Sequence, residues 1–228
     1  MPRSDWAEVL AADPGATIFQ SPAWFDAAME VSGATDASRL YVLDDGRRLV
    51  LPLLRRQPVP GVALDDGYPS GIGAGGVLAT GGLCSDDVRV VLSDLMGSRA
   101  VTTRIKANHD AASRWQAGLV PGVSSAPRRV EVLDLEGGFA KVWDERFHSS
   151  ARRAVRKAEK AGLVVERDTS GRSVPVFYDL YLEWIRRRAQ ESGLPASVSV
   201  RRARRREPVA LVEAAARWLG ESCRIWVA

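Results

Sequence analysis

The hydrophobic period changes part-way along this chain, and that change limits the folds open to it. Up to about Gly137 the apolar residues fall in short runs broken by turn residues; beyond it they recur mainly at helical spacing. The pattern reads as a mixed α/β protein in two parts, with residues 1–145 strand-rich, residues 146–228 helix-led, and a boundary near Arg146. In the first part, Leu40 to Leu43 and Leu49 to Leu54 flank Asp44-Asp45-Gly46, a composition suited to the positive φ of a tight hairpin turn. Val101 to Ile105 and Val130 to Leu135 read as further strands. Ser21-Pro22, then Trp24, Phe25, Ala28 and Met29, closed by Gly33, predicts a capped helix, and Ser85-Asp86-Asp87 opens another that stops at Gly97. Pro58 to Gly82 carries neither period and reads as loop with at most short strands. In the second part, helices are predicted over Phe139 to Phe147, Ser149 to Ala161, Val174 to Glu191 and Pro208 to Leu219, with strands at Leu163 to Glu166 and Cys223 to Ala228.

Composition removes several classes. The longest apolar run, Leu49 to Leu54, is far short of the roughly 20 residues that span a bilayer. Met1-Pro2-Arg3-Ser4-Asp5 leads into mixed sequence without the apolar stretch of a secretory signal, so the cytoplasm is the expected compartment. Cys84 and Cys223 lie far apart and the only histidines are His109 and His148, which argues against a zinc site or a disulfide framework. Charge is distributed unevenly. Residues 1–140 hold 13 Lys/Arg against 17 Asp/Glu, a balance of −4, whereas residues 141–206 hold 17 against 8, a balance of +9. Such a segment attracts phosphate-bearing or other anionic ligands, although solvated helix faces also carry charge runs.

Four motifs have structural readings that outweigh their chemical ones. Gly71, Gly73 and Gly76 match the dinucleotide-binding spacing, but no strand precedes and no helix follows, so a flexible glycine loop lining a substrate groove is expected instead. Ser70 falls one place late for a nucleophile elbow. The acid pairs Asp44/Asp45, Asp65/Asp66 and Asp86/Asp87 sit where turns and helix starts favour aspartate. The run Arg201 to Arg206 lacks interleaved aromatics and reads as a solvated connector between helices, with nucleic-acid or phosphate binding as the competing reading.

The helix after Ser149 carries more information. Ala151, Ala154, Val155 and Ala158 form an apolar stripe expected to pack, while Arg152, Arg156 and Lys160 stack on another face with Arg153 and Lys157 beside them. Five cations with only Glu159 among them repel one another, which an anionic partner would relieve. A soluble helix face and an anion-binding face are equally compatible with this pattern.

The run Leu133-Asp134-Leu135, Trp143, and Phe147-His148-Ser149-Ser150 through Lys160-Ala161-Gly162 resembles the FemAB-like branch of the GNAT acyltransferase superfamily. Phe177, Tyr178, Tyr181 and Arg187, followed by Ser192-Gly193-Leu194-Pro195, fit the same pattern. The similarity is strongest over Glu131 to Pro195, with a weaker echo at Phe19 to Trp24. It implies two GNAT-like subdomains, an acceptor groove on the first and the acyl donor on the second. Implied too is transfer of an acyl or aminoacyl group to an amine of a cell-envelope precursor, as in peptidoglycan cross-bridge synthesis. The donor, acyl-CoA or aminoacyl-tRNA, is then a co-substrate and no cofactor is permanently bound. Under this resemblance Arg152, Arg153, Arg156 and Lys157 bind phosphate of acceptor or donor, Trp24 and Tyr68 line the acceptor groove, and no residue is assigned as catalytic. The glycine-bearing strand-loop-helix that holds donor pyrophosphate in GNAT folds does not follow Arg146, and Cys223 to Ala228 alternates like a half-buried strand up to the last residue. A second subdomain lacking its donor-binding part is therefore expected, with activity of the chain by itself left open. The alternative is a non-catalytic module that binds an anionic glycan precursor or RNA; the oligomeric state is not specified by the sequence.

Overall fold

The computed structural model describes residues 1–228, the side chain of Ser70 excepted, and is a mixed α/β structure. Helix α1 (Arg3–Ala12), which the sequence pattern does not announce, buries Trp6 and Val9. Helix α2 (Pro22–Ser32) has the expected ends: Ser21 Oγ accepts from the Trp24 amide at 3.2 Å, Pro22 is the first helical residue, and Gly33 closes the helix at φ 65°.

Strands β1 (Thr35–Asp36) and β2 (Arg39–Val42) run antiparallel to β4 (Leu54–Val59) and β3 (Arg48–Leu51) respectively. The β1–β4 and β2–β3 ladders fall in separate sheets, with Ala37 and Ser38 on one side and Pro52 and Leu53 on the other between them. Ser38 repairs the ladder there: its hydroxyl accepts from the Leu53 amide at 3.1 Å while the Ala37 amide donates to the Leu53 carbonyl at 2.9 Å. Gly46, at φ 82°, makes the predicted β2–β3 turn. Strand β5 (Val62–Asp66) pairs antiparallel with β4 and parallel with β7 (Ala100–Arg104), and β6 (Leu78–Ala79) pairs with β3. Between β6 and β7, helix α3 (Ser85–Met96) packs Val88, Val91, Leu92 and Leu95 on Leu49, Leu51 and Leu53; helix α4 (Ala112–Ala117) follows β7.

The second part begins with α5 (Gly138–Lys141), continued by one wide turn over Val142–Arg146, then α6 (Ser149–Lys160). Strand β8 (Glu166–Asp168) leads to α7 (Val174–Glu191), α8 (Ala196–Arg206), α9 (Val209–Leu219) and β9 (Ile225–Val227), which pairs antiparallel with β8. The expected boundary near Arg146 does not separate two cores. Leu211 and Ala215 of α9 join Trp6, Phe25 and Val50 in one cluster, and Trp218 Nε1 donates to Glu30 at 2.8 Å, so α9 closes the core that α1 and α2 begin. Smaller clusters join α7 to α8 through Tyr178, Leu182, Val200 and Ala203, and α7 to α9 and β9 through Val174, Ala216 and Ile225.

Two expected strands are corrected. Val130 to Leu135 is exposed and forms no strand; β propensity without a ladder partner does not make one, and Arg146 holds this segment instead through Asp134 at 3.0 Å. Leu163 to Val165 is likewise exposed, and pairing starts only at Glu166. No helix among the described residues is long and apolar enough to cross a membrane.

Candidate functional site

Helix α6 is positioned by its ends. His148 caps it, with Nδ1 accepting from the Ser150 amide at 3.4 Å. At the other end the Gly162 amide donates to the Glu159 carbonyl at 3.0 Å and the Leu163 amide to the Ala158 carbonyl at 3.1 Å, with Gly162 at φ 71°, a left-handed stop that favours glycine. The apolar stripe does not pack: Ala151, Ala154 and Val155 are exposed, and no residue of α6 is buried. Three alanine methyls and one valine offer little area to bury, so desolvating the cations beside them is not offset.

The four predicted phosphate ligands on this helix divide into two kinds. Arg152 folds back and donates to the Trp143 carbonyl at 3.0 Å and to the Asp144 carbonyl, satisfying the end of the preceding turn. Arg153, Arg156 and Lys157 are exposed and, with Lys160, follow one face at i, i+3, i+4 and i+7; among the described residues none of them makes an ion pair.

Trp24 and Tyr68 lie elsewhere. Trp24 is core, 4% exposed, edge-on to Phe19 at 5.5 Å, and its buried indole N–H has no hydrogen-bond partner. It does not line a groove: the same amphipathic spacing that marks α2 turns it inward. Tyr68 is half-buried, with the Arg104 guanidinium 5.9 Å from its ring centre. Among the described residues, no hydrogen bond or ion pair joins α6 to either aromatic.

The glycine loop is packed rather than flexible. A Cβ at Gly73, which stands at φ 80°, would overlap the Phe19 ring, and one at Gly75 would meet the Gly67 carbonyl at 2.9 Å. The loop's glycines therefore allow close approach of backbone to core. Its exposed corner, Gly71, lies beside the Arg206 guanidinium.

The acid pairs are structural, though Asp65/Asp66 for a different reason from that expected: both stand in β5, not in a turn. Arg55 forks onto the buried Asp65 with two bonds of 2.7 Å, and Arg104 donates to Asp66 at 2.6 Å. Asp87 is buried at the start of α3, where Arg47 reaches it at 2.8 and 3.0 Å and the Cys84 amide donates at 2.8 Å. Burial alone would raise the Asp87 carboxyl, but the Arg47 and Cys84 hydrogen bonds prevail and hold it below the usual carboxylate range. Asp168 is also held well below that range, by the Ser170 hydroxyl and the Ser173 amide at the approach to α7. Carboxylates locked in the charged form in this way are poor proton donors near neutral pH.

Sequence reasoning missed a groove. Arg201 to Arg206 is not a connector but the C-terminal half of α8, and the wall facing it is aromatic, supplied by Tyr181 and Trp184 of α7. The available signal was spacing: Arg201/Arg205 and Arg202/Arg206 are one turn apart, as are Tyr181 and Trp184.

Comparison of the chain with protein-family models, with curated proteins and with solved structures finds no match.

Proposed function

We propose that this chain serves acyl or aminoacyl transfer of the FemAB-like kind, with the free cations of α6 holding a phosphate-bearing envelope precursor or donor in the cytoplasm. The observation carrying the proposal is that Arg153, Arg156, Lys157 and Lys160 line one solvent-facing stripe without carboxylate partners, within the stretch that resembles the family. In such a reaction a neutral amine attacks the activated carbonyl of acyl-CoA or aminoacyl-tRNA. The C–N bond forms, the C–S or C–O bond breaks, and the amine's proton leaves with the thiol or hydroxyl. Orientation of the two reactants and electrostatic stabilisation supply most of the rate, so no protein nucleophile is required.

The test is incubation of the protein with labelled acetyl-CoA, or with a labelled aminoacyl-tRNA, and an amine-bearing, nucleotide-linked or lipid-linked precursor. Label on the amine supports the proposal; neither transfer nor binding of donor or precursor removes it. A second reading, a binding module without catalysis for an anionic glycan precursor or RNA, is favoured by one observation: among the described residues the cation beside the Tyr68 ring is Arg104 of β7, not one from α6. Precursor or RNA binding with no transfer from either donor would select it.

A further inference from the structure

Helices α7 and α8 pack through Tyr178, Leu182, Val200 and Ala203, and leave an open groove of about 410 Å³ alongside that seam. On the α7 wall the rings of Tyr181 and Trp184 stack with centroids 6.4 Å apart and an interplanar angle of 23°, and the Arg188 guanidinium lies 5.9 Å from the Trp184 ring. Trp184 keeps 52% of its surface exposed while stacked on Tyr181. The α8 wall presents Arg202 and Arg206, one turn apart, and these two also border an adjoining hollow of about 350 Å³ that Arg201 and Arg205 complete.

Four guanidinium groups on one helix face repel one another unless countered. Glu207 counters one of them, accepting from Arg206 at 3.0 Å while also accepting the Tyr181 hydroxyl. Arg201, Arg202 and Arg205 make no ion pair among the described residues. The two hollows share Arg202 and Arg206 and are open to solvent. One offers the Trp184 ring beside Ile185 and Leu194; the other offers forked donors suited to phosphate oxygens.

We propose that the α7–α8 groove is a binding site for a nucleoside diphosphate, with the base stacked on Trp184 and the diphosphate held by Arg201, Arg202 and Arg205. The joined aromatic and cationic parts match a ligand with both features, and three unpaired arginines match a diphosphate charge close to −3. Inorganic phosphate would use only the cationic half. A polynucleotide is served by a basic track with repeated stacking platforms, whereas here one exposed ring faces one compact cationic hollow. The site lies outside α6, but its ligand class overlaps the transfer reading, whose nucleotide-linked precursor and acyl-CoA donor both contain a nucleoside diphosphate. Free ADP and UDP, which have no acyl group or amine to transfer, test the groove apart from that reading.

Isothermal titration of the whole chain with ADP, UDP, pyrophosphate and adenosine tests it. Both nucleotides are expected to bind, with pyrophosphate and adenosine each at least about fivefold weaker. Stacking of one base contributes on the order of a fivefold or larger factor. Trp184→Leu should therefore weaken ADP at least about fivefold and leave pyrophosphate unchanged, while Arg202→Gln with Arg205→Gln should weaken both at least about tenfold. All three side chains are exposed, so the variants should fold as the parent does, which circular dichroism checks. The proposal is overturned if neither nucleotide binds at millimolar concentration, if Trp184→Leu binds ADP as the parent does, or if a single-stranded oligoribonucleotide binds and ADP fails to displace it.

Discussion

Replacing Arg47 by alanine separates a structural carboxylate from a working one. The Asp87 side chain is 1% exposed and accepts three hydrogen bonds, two from Arg47 at 2.8 and 3.0 Å and one from the Cys84 amide at 2.8 Å. Arg47→Ala leaves that charge buried with a single donor. Breaking a buried pair on one side costs about 3–5 kcal/mol, and because the Arg47 side chain is 32% exposed, water admitted to the gap reduces the cost to about 2–3 kcal/mol. Asp87→Ala loses the same pair and the cap on the Cys84 amide, the latter about 1 kcal/mol, but leaves Arg47 its second partner, Asp45, at 2.8 Å. Both single variants should therefore lose about 2–3 kcal/mol, and the double variant should lose less than their sum by about 1–2 kcal/mol. Urea unfolding followed by circular dichroism at neutral pH measures all three. Strict additivity, or an Arg47→Ala variant within about 0.5 kcal/mol of the parent, would refute the assignment of Asp87 to a buried structural pair.

Three further outcomes follow from the same geometry. Asp87, and Asp94 of α3, where burial is outweighed by donors from the Tyr41 hydroxyl at 2.7 Å and from Arg39, are held below their ordinary range in the folded state, so the unfolded chain takes up protons first and stability falls as pH drops below about 4; urea midpoints at pH 3 and pH 6 should show this, with a shallower fall in Asp87→Ala. Gly73→Ala combines a positive φ with overlap onto Phe19 and should destabilise by about 2 kcal/mol or more, read as a lowered thermal midpoint. Arg152→Ala removes the donor to the Trp143 and Asp144 carbonyls and should speed amide exchange in the first turn of α6, whereas Arg153→Ala with Arg156→Ala should leave stability within about 0.5 kcal/mol of the parent.

Local chemistry was legible in the sequence, and long-range partnership was not. Ser21, Pro22 and Gly33 fix the ends of α2 through contacts within a few residues, and the bounds of α7 and the Gly46 turn are readable for the same reason. Strand β5 was hidden because Asp65 and Asp66, residues that strands usually avoid, are tolerated there only through arginines 10 and 38 positions away. Conversely, Val130 to Leu135 has strand composition but lacks a partner edge, which composition cannot supply. At the candidate site the cationic face of α6 was legible from its period, while the recoil of Arg152 onto carbonyls depends on the wide turn before it. Trp24 points inward because α9, α1 and the Phe19 turn cover α2, and the aromatic wall opposite Arg202 arises only when α7 and α8 pack.

The most direct test of the function proposed for α6 is calorimetric titration of a nucleotide-linked or lipid-linked envelope precursor, and of a tRNA, into the parent chain and into Arg153→Ala/Arg156→Ala. Each exposed phosphate contact removed should weaken a bound anion measurably, so the double variant is expected to lose at least about tenfold in affinity for the ligand the parent binds, with unchanged unfolding. Equal affinity in parent and double variant, or no binding of any of these ligands by the parent, would contradict the phosphate-holding role of this helix.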